Sequence, residues 1–239
     1  MAAVLTIDHR FRGPRRSGNG GVSAGLAAGF LDGPVTVRLR RPPPLDRPLT
    51  VHRGPDDVRV SGGEELMLQA RPATDTVEVA VDEELLQRTF DRGTTPVPRG
   101  HPAPECFVCG PREDGLRTCP SVVDGTQLWA TVWIPDRSVS SDGVPVDPQV
   151  VWGALDCPAG IAVVRHGRAP LTYFPAFTEL TVTLERPVAV GRPVAVWGWS
   201  SGQDADRVDG STAIIDTDGV VRATGHARHS LVPVDFSHR

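Results

Sequence analysis

The chain has 239 residues, with 25 basic and 29 acidic side chains, a formal charge of −4 and 39% hydrophobic residues; this excludes global disorder and a strongly basic nucleic-acid-binding surface. All 25 basic residues are arginine, so chemistries that need a lysine, such as a Schiff base, a P-loop or a Ser-Lys dyad, are excluded as well. No apolar run reaches the roughly 18–20 residues of a membrane span, Asp8, His9, Arg10 and Arg12 interrupt the start where a secretory signal would be apolar, and four cysteines are too few for a disulfide scaffold of this length, so a cytoplasmic protein with no membrane partner is expected.

Residues 20–31, GGVSAGLAAGFL, are apolar nearly all round, which predicts a buried helix. Residues 35–51 read as strand, Arg-Pro turn, strand: Val35, Val37 and Leu39 alternate with polar neighbours, and Pro42 cannot donate to a ladder. A further strand is predicted at 66–70 and a short amphipathic helix at 82–92. The Pro-, Gly- and His-rich stretch 94–111 marks a boundary. Beyond it, residues 148–165, PQVVWGALDCPAGIAVVR, predict a second buried helix, and strands are predicted at 180–196, 211–215 and 220–231, the last two joined by an Asp218-Gly219 turn. Trp129, Trp133, Trp152, Trp197 and Trp199 read as core or subunit-interface residues.

The two strand–turn–strand segments are related. Residues 35–51 and 180–196 align without gaps at an offset of 145, with eight of seventeen positions identical, among them Thr36 with Thr181, Val37 with Val182 and Arg41-Pro42 with Arg186-Pro187. Each copy follows an apolar helix. Two related halves are therefore expected, residues 1–98 and 99–239, each a long helix wrapped by antiparallel strands.

Such a duplicated arrangement resembles the double hotdog proteins, above all the acyl-CoA thioesterase II type, and is similar to the single-domain thioesterases of the phenylacetate pathway type. The likeness rests on local motifs. Ser17-Gly18-Asn19-Gly20-Gly21-Val22 resembles the glycine pair that opens the hotdog helix. Cys106-Phe107-Val108-Cys109-Gly110, followed by Asp114-Gly115-Leu116, looks like the entry segment of many single-domain members, and Leu155-Asp156-Cys157-Pro158-Ala159-Gly160 resembles the segment that carries their catalytic carboxylate. The resemblance implies an α+β double hotdog fold, curved antiparallel sheets around a long central helix in each repeat, and hydrolysis of an acyl-CoA or acyl-carrier thioester without a cofactor. It also implies a dimer of double hotdogs. Counting from Gly21 as the family does, the carboxylate's place in the first helix falls near Ala28, so the first half lacks an acid of its own. Thr178 and His226 fall near the family's threonine and glutamine, with histidine here in place of glutamine, and the resemblance implies that this pair orients the water that Asp156 activates.

The residues themselves point the same way. Asp156 lies within an apolar segment, where a carboxylate is costly unless it is partnered or used, and burial raises its pKa towards the range of a general base; a bond to a nearby backbone group or arginine is the competing reading. Gly20 and Gly21 admit a thioester close to the free N–H groups of a helix start, though a Gly-Gly pair also makes an ordinary turn. Asn19 is read as the helix cap and, secondarily, as a group that orients water; with Gly20, Gly21 and Val22 it forms the expected substrate-binding segment. Cys106-x2-Cys109 has the spacing of half a zinc site, with His101, Cys119 and Cys157 as further ligands, but no second ligand pair follows, and packing of a turn is the expectation. Two other functions stay open: a non-catalytic binder of acyl thioesters or lipophilic ligands, and a hotdog dehydratase, which needs a histidine beside the acid.

Overall fold

Alternating Val, Leu and Ala residues supply eleven strands, and two all-round apolar segments supply the helices that cover them; the computed structural model describes residues 3–13, 17–164, 173–204 and 207–233. The strands are β1 (Ala3–Thr6), β2 (Val35–Leu39), β3 (Pro48–Arg53), β4 (Val58–Gly62), β5 (Glu65–Pro72), β6 (Ser121–Val122), β7 (Trp129–Trp133), β8 (Tyr173–Leu184), β9 (Val194–Asp204), β10 (Arg207–Asp216) and β11 (Val221–Pro233). They form one antiparallel sheet in the order β1-β3-β4-β5-β2-β8-β11-β10-β9-β7-β6. The strands of the first half thus stand together on one side and those of the second half on the other.

The two sides meet where β2 pairs with β8. Thr36 lies opposite Thr181, Val35 opposite Val182 and Val37 opposite Leu180. Because Thr36 and Thr181 are also equivalent in the sequence alignment, the antiparallel register carries the aligned residues onto one another about that pair. Their hydroxyls lie 2.8 Å apart, and Arg38 forms an ion pair with Glu179 across the same seam.

Helix α1 (Gly20–Ala28) packs against β2, β4 and β5, α3 (Pro148–Val163) packs against β8 to β11, and the two helices touch each other. Asn19 opens α1 by accepting the Val22 N–H at 2.9 Å. The helix is nine residues long and ends short of the predicted residue 31, because the Leu31 N–H bonds three residues back to the Ala28 carbonyl at 2.9 Å and tightens the last turn. Helix α1 is therefore short, against sixteen residues in α3, and a long helix in each half is not what the chain shows. Helix α3 runs through Pro158, and the end of the predicted segment, residue 165, lies outside the described residues.

Contact between α1 and α3 is at backbone distance. Gly21 and Gly25, one turn apart on the same face, press on α3: a Cβ at Gly21 would stand 2.6 Å from Asp156 Cβ, and one at Gly25 would stand 2.6 Å from Gln149 Cα. Helix α2 (Glu83–Arg92) is capped by Asp82, whose Oδ1 accepts the Leu85 N–H at 3.0 Å. Although it belongs to the first half in sequence, it covers the outer face of the second half. There Leu86 joins Ala130, Ala195, Trp197, Ala213 and Ile215, and Trp197 Nε1 donates to Thr89 Oγ1 at 3.0 Å. Val194, Val196 and Ile214, their neighbours in the strands, face the main core with Trp133 and Trp152. Among the described residues, no helix is long and apolar enough to cross a membrane.

The glycine contact can be tested. Gly25→Ala adds a methyl group that can only be housed by separating two backbones, so urea unfolding should show a loss of about 1–3 kcal/mol. Gly29→Ala is the control: its Cβ would meet nothing nearer than Leu26 O at 3.6 Å, and stability should hold or rise by up to about 1 kcal/mol. Equal stabilities for the two variants would contradict the packing described.

Candidate functional site

The carboxylate of Asp156 on α3 meets the N-terminus of α1. Its Oδ2 accepts the Gly21 N–H at 2.8 Å, so one of the amides expected to bind a substrate carbonyl is engaged by the carboxylate. The Val22 N–H goes to Asn19 Oδ1 and the Ser23 N–H to the Asn19 carbonyl, both at 2.9 Å. Gly20 is left as the amide at this helix start without a hydrogen-bond partner among the described residues. Glycine is needed there, because a Cβ would lie 2.7 Å from Phe177 Cδ1 and 3.3 Å from Asp156 Oδ2. Val22 is wholly buried with its side chain against Gly153, and it contributes packing.

Asp156 is 6% exposed. The other buried acid among the described residues, Asp216, is held by Arg222, whose Nε donates to it at 2.8 Å. Asp156 has no arginine partner among the described residues; facing it is His229 on β11, with Nε2 at 4.0 Å from Oδ1. Burial pushes the Asp156 carboxyl up to about 7, opposed by the Gly21 N–H and reinforced by negative charge at Cys106. Burial likewise pushes His229 down to about 4, so at neutral pH the imidazole is uncharged and the two do not form an ion pair. Among the described residues the buried His229 Nδ1 has no hydrogen bond, the Val208 backbone lying close without closing one. Phe177 lies edge-on to the imidazole, with ring centres 6.4 Å apart.

Of the residues expected from sequence, Asp156, Asn19, Gly20 and Gly21 come together, while Thr178 and His226 do not join them. Along β11, Ala223, Ala227 and His229 face α3, as Gly225 does against Leu155. His226 falls on the other face of the sheet. Its Nδ1 lies 3.2 Å from Ser211 Oγ, and its Nε2 lies 3.9 Å from Asp209. Thr178 stands at a β-bulge: Arg228 pairs with Glu179 and His229 with Phe177, leaving Thr178 as the extra residue. Its hydroxyl donates to the Arg228 carbonyl at 2.8 Å, and the bulge turns Phe177, instead of Thr178, towards Gly20. His229 had a legible signal: the period of two set by Ala223, Gly225 and Ala227 reaches 229 and skips 226. The bulge that brings in Phe177 had none.

Beside this site three sulfurs converge. Those of Cys106, Cys109 and Cys157 lie within 4.8 Å of one another, with Cys106 and Cys157 3.8 Å apart. Asn19 Nδ2 points at Cys106 and Cys157 from 3.6 and 3.7 Å. The Cys106 thiol is pulled well down by hydrogen bonds from Cys109 and Cys157, and that same interaction holds the other two thiols up. His101 and Cys119 lie outside the cluster, and His101 Nδ1 accepts the Ala103 N–H at 3.1 Å.

No protein-family model matches the chain, and no curated protein matches its sequence. Solved structures match over nearly its full length. The tesB protein of Mycobacterium avium subsp. paratuberculosis is 14% identical with a TM-score of 0.58, over 96% of this chain and 92% of that one. The acyl-CoA thioesterase II TesB2 of Mycobacterium marinum is 13% identical with a TM-score of 0.56, over 97% and 98%. A conserved protein of unknown function with a hotdog fold from Alicyclobacillus acidocaldarius is 12% identical with a TM-score of 0.58, over 98% and 97%. At these identities the likeness is one of fold, and the fold of this chain is the hotdog fold.

Proposed function

We propose that the chain is a hydrolase of acyl-CoA or acyl-carrier thioesters, in which Asp156 activates the attacking water. The observation that carries this reading is a buried carboxylate with no arginine partner among the described residues, placed on a helix start that offers a glycine amide. In the proposed reaction, water held between Asp156 Oδ1 and His229 Nε2 gives its proton to the carboxylate as its oxygen attacks the thioester carbonyl. The Gly20 N–H, at the positive end of α1, receives the developing oxyanion. When the C–S bond breaks, the proton on Asp156 passes to the departing sulfur, giving a carboxylic acid and a free thiol. A carboxyl held near neutrality suits both transfers. His229 is assigned the water-orienting task expected by resemblance for Thr178 and His226, and its uncharged ring can accept or donate a hydrogen bond.

The two halves are read as two hotdog repeats, with the active site composed of the α1 start from one and Asp156 from the other. The register about Thr36 and Thr181 supports this. The absence of an acid in α1, where Ala28 ends the helix, supports a single site.

Two outcomes follow. Wild-type protein should release thiol from at least one member of a panel of short, long and aromatic acyl-CoAs, and Asp156→Asn should lower kcat by about a hundredfold or more. Unchanged turnover in that variant would refute the assignment. The second concerns protons. His229, at about 4 when folded against about 6.5 unfolded, makes the unfolded chain bind more protons in that window, so stability falls as pH drops from 6.5 to 4. Asp156, raised to about 7, works in the opposite sense from about pH 4 upwards. Asp156→Asn leaves the histidine unopposed, so urea unfolding at pH 4.5 and 6.5 should show stability rising more steeply with pH in the variant, by up to about 1.4 kcal/mol per pH unit. A slope no steeper than that of the wild type would contradict the paired burial.

A further inference from the structure

The sulfur cluster beside Asp156 is not used by the hydrolytic mechanism, and its geometry has a chemistry of its own. Cys106 and Cys109 sit on a turn closed by the Gly110 N–H on the Cys106 carbonyl at 3.0 Å. A Cβ at Gly110 would lie 2.6 Å from that carbonyl oxygen, so the turn keeps both sulfurs on one side only with glycine in place. Cys157 reaches the same point from α3, 51 residues further on than Cys106. Two thiolates bound about 2.3 Å from a tetrahedral zinc lie about 3.8 Å apart, and the Cys106–Cys157 separation is 3.8 Å, far from the roughly 2.05 Å of a disulfide.

A second feature points to a charged sulfur cluster. Asn19 is fixed by its cap bond to Val22, so its Nδ2 hydrogens are the ones that face Cys106 and Cys157. Amide donors aimed at sulfur hold thiolates in place and orient them as ligands, the outer-shell arrangement of protein metal sites. Three soft donors of this kind select zinc over the hard cations that prefer oxygen.

We propose that Cys106, Cys109 and Cys157 bind a zinc ion through three thiolates, with Asn19 hydrogen-bonding two of the sulfurs. Binding releases the thiol protons to solvent, and the fourth position is taken by a ligand that is not a cysteine. The ion would tie the 106–110 turn and α3 to the residue that caps α1. It would thus hold together the two helices that carry Asp156 and Gly20.

The test is metal content, which does not depend on whether the chain hydrolyses thioesters. Full-length protein, reduced and stripped of metal, should take up about one zinc per chain. Cys106→Ser and Cys157→Ser should each lower zinc affinity by about a hundredfold or more, whereas Cys119→Ser should leave it unchanged. Cobalt in place of zinc should give intense near-ultraviolet thiolate-to-metal absorption in the wild type, a readout that needs no variant should the serine substitutions fail to fold. Reduced wild-type protein that takes up neither zinc nor cobalt would overturn the proposal. So would uptake of iron or copper instead of zinc, or a Cys157→Ser variant that binds zinc as tightly as the wild type.

Discussion

The hydrogen bond from the Gly21 amide to the Asp156 carboxylate is the constraint around which the rest of the molecule is arranged. A carboxylate in an apolar interior costs several kcal/mol unless something compensates its charge, and among the described residues no arginine does. The positive end of α1 takes that part. For a helix end to come within 2.8 Å of a carboxyl on another helix, the two backbones must nearly touch. That requires glycine at 20 and 21 and, one turn on, at 25, where α3 leaves no room for a Cβ. A helix terminus compensates a carboxylate less fully than a guanidinium would, so the carboxyl remains close to neutrality in its titration and can exchange a proton where a salt-bridged acid such as Asp216 cannot.

The sheet makes this meeting geometrically necessary. With β2 paired to β8 about Thr36 and Thr181, the helix that follows the first-half entry and the helix that precedes β8 are brought to the same seam. Neither helix alone brings these groups together: α1 has the glycine start without an acid, and α3 has the acid. Their meeting is therefore a property of the seam, and anything that fixes the seam, whether the Arg38–Glu179 pair or the sulfur cluster between the 106–110 turn and α3, bears on it. His229 completes the arrangement from β11, buried and uncharged, with one ring nitrogen still lacking a hydrogen bond.

Much of this was legible in the sequence because it rests on short-range pattern. The two all-round apolar helices, the Arg-Pro turns, the repeat at an offset of 145 and the isolated acid at 156 each follow from composition within a few residues. What escaped depends on long-range geometry. A β-bulge at Thr178 changes which side chain faces the helix, and nothing in the local sequence marks it. His226 was favoured over His229 by alignment to a motif, when the alternation of Ala223, Gly225 and Ala227 pointed to 229. The amphipathic helix at 82–92 was recognised, but its partner was not, because the apolar face that it covers belongs to strands more than forty residues downstream. Cys157 meets Cys106 and Cys109 only once α3 is laid against the boundary segment, so the cysteines looked like half a site.

The central claim is that Asp156 acts on water and does not itself attack the thioester. A single turnover in heavy-oxygen water, with enzyme in excess over an acyl-CoA that it cleaves and an acid quench at early times, separates the two by mass spectrometry, through the isotope in the products together with any acyl adduct on the enzyme. The account predicts the heavy isotope in the released carboxylic acid from the first turnover and none in the peptide that contains Asp156. An acyl adduct on the peptide that contains Asp156, or label in the Asp156 carboxyl with unlabelled oxygen in the product, would show a covalent anhydride and contradict it.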